Sequence, residues 1–112
     1  MSHDEHAIEK EIQAKGKTAP RLTPEHIDAQ IVAENWGRAS DLFKGSPVPE
    51  ALKCLTIYVM TLKNGYTIIG KSACASPENY DAELGRKIAR EDARRQIWAL
   101  EGYLLRSTLA GE

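Results

Sequence analysis

From Leu55 to Leu62 the chain reads Leu-Thr-Ile-Tyr-Val-Met-Thr-Leu, a β-branched, aromatic and aliphatic run that predicts a strand. Leu55, Ile57 and Val59 then face one way, and Thr56, Tyr58 and Met60 the other. Asn64-Gly65 comes next, the strongest short hairpin signal, because both residues tolerate positive φ. Tyr66 to Lys71 returns as the partner strand. A three-residue loop Lys63-Asn64-Gly65 with a bulge sets Cys54 opposite Cys74, whereas a two-residue turn sends them to opposite faces. Both registers are open on the sequence.

After the hairpin the period changes. Pro77 disfavours helix at Ser76, and Asn79 or Asp81 is placed to cap the next helix. Gly85, Ile88, Ala89, Ala93, Ile97, Leu100 and Leu104 then fit one broad helical stripe. A helix from Asp81 to Arg106 is ~39 Å long, against a radius of gyration of ~13 Å for a compact domain of this size. It overhangs its own domain, which predicts a homodimer of packed long helices, with Gly85, Ala89 and Ala93 small enough for close approach. A break at Gly102 is the alternative.

Upstream, Thr23 as N-cap, Pro24 at the first helical position and Glu25 in the first turn predict a helix. Ile27, Ile31 and Val32 share a face, so this helix is expected to end near Asn35 to Gly37. Residues 1–21 are charged and carry little apolar surface, and read as a flexible segment, helical in part. Residues 37–53, with Gly45, Ser46, Pro47 and Pro49, read as a variable loop insertion in which Ala39 to Phe43 adds a short helical turn. The sum is an α+β fold: an N-terminal helix, an antiparallel hairpin or small sheet, and a long C-terminal helix that mediates oligomerisation. The domain spans 22–108, with 109–112 as a tail.

Length and charge narrow the function. A chain of 112 residues is one domain. No apolar run approaches a membrane span and no signal peptide is visible, so the expected compartment is the cytoplasm. The net charge of −1 hides an asymmetry. Residues 1–35 carry four bases and seven acids, while residues 86–106 carry six bases and three acids. Near-neutrality argues against non-specific nucleic-acid binding but leaves room for a local anion pocket. Cys54 and Cys74 are expected reduced and buried rather than bridged. Neither they nor His3, His6 and His26 have metal-ligand spacing, so no metal or cofactor is expected. Asp81, Glu83, Glu91 and Asp92 do not pair with a His or Cys, and the serines lack a GxSxG elbow. The chain reads as a binding protein, not an enzyme.

The binding candidates lie after the hairpin. Arg86, Arg90 and Arg94 recur at i, i+4 and i+8 along one helix face. Glu83 and Glu91 sit three residues before Arg86 and Arg94, yet none of the three arginines has an acid four residues before it. Such like charges repel unless a partner's carboxylates or an anionic ligand neutralises them. Arg suits phosphate because its planar fork engages two oxygens. The loop Ser72 to Asp81 is a strand-to-helix connection or a phosphate or ribose cradle, although it has no Gly-rich fingerprint. Tyr58, Tyr66, Tyr80, Trp98 and Tyr103 default to the core, with Tyr66 and Tyr80 the two best placed for exposure and base stacking.

The run Leu62 to Tyr66, the loop Ser72-Ala73-Cys74-Ala75-Ser76-Pro77-Glu78-Asn79-Tyr80-Asp81, and then Gly85 to Glu91, Ile97-Trp98 and Leu100 to Arg106 resemble a widespread family of small tailed-phage proteins. Leu22 to Asn35 resembles that family's first helix. The family in turn resembles the Thoeris anti-defence proteins of the first type. These sponges bind cyclic ADP-ribose isomers made by bacterial TIR proteins without cleaving them. Some also hold cyclic di- or trinucleotides of the CBASS system, and they assemble through dimers into hexamers with ligands at subunit interfaces. The resemblance implies a homo-oligomer in the host bacterial cytoplasm. In it Arg86, Arg90, Arg94 or Arg106 would hold pyrophosphate, Tyr66 or Tyr80 would stack on adenine, and Asn79 would bond a ribose or base edge. Asp92 stands where many relatives carry Asn, and a carboxylate there repels phosphate. Two rival readings are a module that inhibits a host protein through its C-terminal helix and a nucleic-acid accessory protein.

Overall fold

The computed structural model describes residues 4–17 and 19–111. The order is α1 (Glu5–Ala14), α2 (Pro24–Ala29), β1 (Ile31–Arg38), α3 (Ala39–Leu42), a 3-10 turn (Glu50–Cys54), β2 (Leu55–Leu62), β3 (Thr67–Ala73), a 3-10 turn (Pro77–Asn79) and α4 (Ala82–Leu109). The sheet is antiparallel with order β1-β2-β3, and α4 lies across one face of it. The α+β architecture expected from the sequence is the one observed.

The hairpin register is settled by its turn. Leu62 N–H donates to the Tyr66 carbonyl, which leaves Lys63-Asn64-Gly65 as a three-residue loop. Gly65 takes φ +87°, the left-handed position such a loop needs. Cys54 and Cys74 therefore face each other at the far end of the pair, where Cys74 N–H donates to the Cys54 carbonyl at 3.0 Å. Both are free thiols.

The expected helix from Thr23 is cut short. Thr23 does cap it, its hydroxyl accepting from His26 N–H, and Pro24 does open it. It stops at Ala29, however, and Ile31 to Arg38 is a strand paired with β2 from Ile31↔Leu62 to Arg38↔Thr56. Ile31 and Val32 suited both periods, being β-branched. The remainder of β1, Ala-Glu-Asn-Trp-Gly-Arg, shows no alternation because an exposed edge strand needs none. The pairing demand of β2 overrode the local pattern. The short helical turn expected at Ala39 to Phe43 is present as α3.

One face of β2 builds the core. Tyr58, Met60 and Leu62 pack with Ile68, Ile27, Ala89, Ala93 and Ile97. The contact is close. A Cβ on Gly70 would lie 2.2 Å from the Ala89 carbonyl oxygen and 2.5 Å from the Ala93 nitrogen, and one on Gly85 would lie 2.5 Å from Thr56 Oγ1. Gly85, Ala89 and Ala93 are thus spent on the chain's own sheet, not on a second helix as the small-residue stripe suggested. Helix α4 also covers the β3 edge. Asp92 accepts from Lys71 N–H and Gln96 donates to the Ile69 carbonyl, both at 2.9 Å. These satisfy outward backbone groups that would otherwise invite another strand.

At 28 residues α4 is ~42 Å long. Gly102 lies within it and does not break it. The radius of gyration is 17.3 Å, against ~13 Å for a compact chain of this length. Beyond the sheet the inward stripe continues uncovered at Leu100, Tyr103 and Leu104. Tyr103, expected in the core, is 77% exposed because the sheet ends before it.

Helix α1 is held by charge. The Glu9 carboxylate accepts from Arg21 at 2.6 and 2.7 Å and from Gln13 at 2.7 Å, and Glu5 reaches Arg94 on α4. The apolar side chain of Ile8 is 55% exposed. The tether is polar, which is why hydrophobic patterning in residues 1–21 did not show it; of this stretch, residues 1–3 and 18 lie outside the described residues.

This packing makes two expectations measurable. Gly70→Ala is expected to destabilise by ~1–3 kcal/mol, lowering Tm by roughly 5–15 °C. Gly45→Ala, where the added Cβ meets open space, serves as the control and should leave the melting curve in place. The Arg21 hydrogen bond, helped by Gln13, holds the Glu9 carboxyl down to about 2. Its contribution to stability is full above about pH 4.5 and is lost as pH falls through about 2. A carboxyl NMR titration of Glu9 should show the depressed midpoint, and Arg21→Gln should return it to the ordinary carboxylate range.

Candidate functional site

The sequence candidates separate into distinct places on one copy of the chain. Asn79 and Tyr80 line a cleft of about 200 Å³ between the end of the hairpin, the loop before α4 and the first turns of α4. Its walls include Cys54, Thr56, Ser72, Cys74 and Ile88. The Ser72 to Asp81 loop reaches this position because the hairpin register delivers it there, and the 3-10 turn Pro77–Asn79 folds it back towards α4. Asp81 closes the helix start, its carboxylate accepting from Leu84 N–H at 2.9 Å. The first N–H groups of α4 are therefore partly committed before any ligand arrives.

A cation against the Tyr80 ring, outside the residues that line the cleft, was not foreseen. Arg38, the last residue of β1, lays its guanidinium 4.0 Å from the centroid of the Tyr80 ring. Its Nε donates to the Lys53 carbonyl at 2.6 Å, and no carboxylate among the described residues forms an ion pair with it. The ring and the backbone bond orient the fork and leave its terminal nitrogens for another acceptor. Arg38 lay in the stretch read as a helix end and loop, and no local pattern singled it out. Only the pairing Arg38↔Thr56 brings it beside the loop.

Nearby, burial pushes the Cys54 thiol up, and the hydrogen-bonded Cys74 thiol adds to the shift. Cys74 Sγ donates to the Ser76 carbonyl at 3.3 Å. A thiol kept protonated is a poor nucleophile. No histidine lines the cleft, and Asp81, its one lining carboxylate, accepts from Leu84 N–H through one oxygen. The cleft presents an aromatic ring, a side-chain amide, hydroxyls and one carboxylate, with the Arg38 guanidinium against the ring.

Each arginine of the row pairs with a carboxylate of its own chain. Arg86 pairs with Glu83 and holds that carboxyl below its ordinary range. Arg90 Nε donates to Glu34 at 2.7 Å, and Tyr58 hydroxyl donates to the same oxygen at 2.6 Å. Burial opposes ionisation of Glu34, but these two bonds outweigh it and hold the carboxyl below the usual range. Arg94, 5% exposed, meets Asp28 at 2.8 Å and both oxygens of Glu5 at 2.5 and 2.9 Å. Glu5 first and Asp28 next raise its pKa against the cost of burial.

Arg90 and Arg94 line a second, polar cavity of about 410 Å³ together with Glu5, Asp28, Glu34 and Glu91. Two cations among four acids make that wall net negative. Arg106 is exposed on the last turns of α4, ~30 Å along the helix from Arg86. Tyr66 is exposed at the hairpin turn, ~25 Å along the strands from the cleft. In one copy, then, Asn79 and Tyr80 come together, Arg90 and Arg94 come together elsewhere, and Tyr66, Arg86 and Arg106 join neither group. Asp92 is engaged by Lys71 N–H and Arg95, so its carboxylate serves the fold.

Glu34→Ala strips the partner from both Arg90 and the Tyr58 hydroxyl. It should destabilise by roughly 1–3 kcal/mol, read as a lower midpoint in urea at unchanged slope.

Residues 22–109 match the model of the family described as Phage protein (N4 Gp49/phage Sf6 gene 66). Comparisons with curated proteins and with solved structures found no match.

Proposed function

The chain belongs to this phage protein family, and on that premise we propose that it is an anti-defence binding protein that sequesters a cyclic nucleotide signal of bacterial immunity without cleaving it. The ligand class comes from the likeness to the Thoeris sponges: cyclic ADP-ribose isomers from TIR proteins, or the cyclic oligonucleotides of CBASS. The protein acts as a homo-oligomer in the host cytoplasm and needs no cofactor.

The observation that carries the reading is the half-formed cleft. Arg38, against the Tyr80 ring at the side of the cleft, offers a phosphate contact, and Asn79 and Ser72 in its lining offer hydrogen bonds. At about 200 Å³ the cleft falls below the ~300 Å³ at which small-molecule pockets begin. Its rim is apolar: Leu84 is 56% and Ile88 48% exposed. A second copy laid on that rim would cover Leu84 and Ile88 and enlarge the pocket. The overhanging Leu100, Tyr103 and Leu104 supply further surface for assembly. The same overhang is what favours the second reading, a module docking a host protein through α4.

A thermal-shift panel of cyclic ADP-ribose isomers, cyclic dinucleotides and cyclic trinucleotides tests the proposal. A ligand at ~100-fold over its Kd stabilises by ~2.7 kcal/mol, a rise of several degrees. The ligand should be recovered intact, and Arg38→Gln should weaken binding by ~10- to 100-fold. No shift across the panel overturns the reading. A monomer in sedimentation, with a host protein held by α4, establishes the alternative.

A further inference from the structure

The strongest oxyanion cradle in the molecule is already full, and its occupant comes from outside the family domain. Both oxygens of the Glu5 carboxylate sit on the Arg94 fork, and Trp98 Nε1–H donates to one of them at 3.1 Å. Arg94 is buried, and its third nitrogen is oriented by Asp28. Arg94, Trp98 and Asp28 all lie within residues 22–109, the span that matches the family; Glu5 and the whole of α1 precede it. The donors therefore lie within the matched span and the acceptor before it.

That segment is lightly attached. A ten-residue helix is marginal on its own in water. The apolar space under α1, about 280 Å³ lined by Ile8, Ile12, Leu22, Pro24 and Trp98, is not filled. Two carboxylates help seat α1, Glu5 on Arg94 and Glu9 on Arg21. Removing Glu5 leaves a buried guanidinium with one remaining partner, Asp28, whose side chain is 55% exposed. A buried charge in that state takes up any oxyanion of suitable shape.

We propose that Arg94 and Trp98 form an oxyanion site that α1 occupies with its own Glu5, so that α1 is a competitive strap and a small oxyanion displaces it. The acids around the cavity, Asp28, Glu34 and Glu91, repel multiply charged ligands and favour a group with one negative charge, such as dihydrogen phosphate or a phosphodiester. The site shares no lining residue with the cleft at Arg38 and Tyr80, so it stands or falls apart from the function proposed above.

The test uses inorganic phosphate near pH 6 on the full chain, with sodium chloride at matched ionic strength as the control. Two readouts are tracked: the Trp98 indole N–H signal in NMR, and amide exchange of residues 5–14. In the native protein phosphate, and not chloride, should shift the indole signal and speed exchange in α1. Glu5→Gln should open α1 without ligand and tighten phosphate binding by roughly tenfold or more. Equal effects of phosphate and chloride on the native protein overturn the proposal, as does an opened α1 in Glu5→Gln with no gain in phosphate binding. The native measurement holds even where a variant at Arg94 fails to fold.

Discussion

The contact on which the rest depends is the seat of α4 on the sheet. Gly70 brings β3 so near that the backbone of Ala89 and Ala93 occupies the space a side chain would need, and Gly85 does the same over Thr56. Dispersion and burial at such a contact fall steeply with separation, so the small residues fix the helix both in height and in rotation. The rotation in turn places Asp92 and Gln96 on the β3 edge and Arg90 and Arg94 towards α1, α2 and β1. One packing distance thereby decides which polar partners the helix meets.

Charge is then organised around that rotation. A row of four-spaced arginines is unfavourable alone, and the fold resolves it with carboxylates from three other elements: Glu5 of α1, Asp28 of α2 and Glu34 of β1. Arg94 is deep enough that these bonds outweigh the cost of burying its charge, and Glu34 stays ionised for the same reason. The consequence for function is a redistribution. The row is paired with carboxylates of the same chain, while Arg38, inconspicuous in the chain, lies beside an aromatic ring with no ion-pair partner among the described residues.

The two places that remain open are complementary in kind. The cleft at the start of α4 is undersized and rimmed by Leu84 and Ile88, and the far end of α4 exposes Leu100, Tyr103 and Leu104. Both expose apolar side chains, one near the start of α4 and one near its end. The sheet and α4 lie within residues 22–109, the span that matches the phage protein family.

Local chemistry determined much of this molecule in advance. The β2 strand, the Asn64-Gly65 turn, the Thr23-Pro24 helix start and the long α4 stripe were legible because each depends on neighbours in the chain: side-chain period, φ preference and capping. The loop Ser72 to Asp81 was legible as the most distinctive segment, and six of its residues, Asn79 and Tyr80 among them, do line a cleft. What only the tertiary structure decided was everything set by partners distant in sequence. Ile31 to Arg38 became a strand because β2 needed an edge partner, not because its own pattern alternates. Ala89 and Ala93 meet the sheet because Gly70 lies opposite them, and Gly85 meets it over Thr56. The hairpin register, open until the Leu62–Tyr66 bond chose it, set Cys54 against Cys74. The arginines found Glu5, Asp28 and Glu34, up to 89 positions away. Periodicity reports which face of an element is buried; it carries no information on what that face is buried against, and ion pairs between elements leave no period at all.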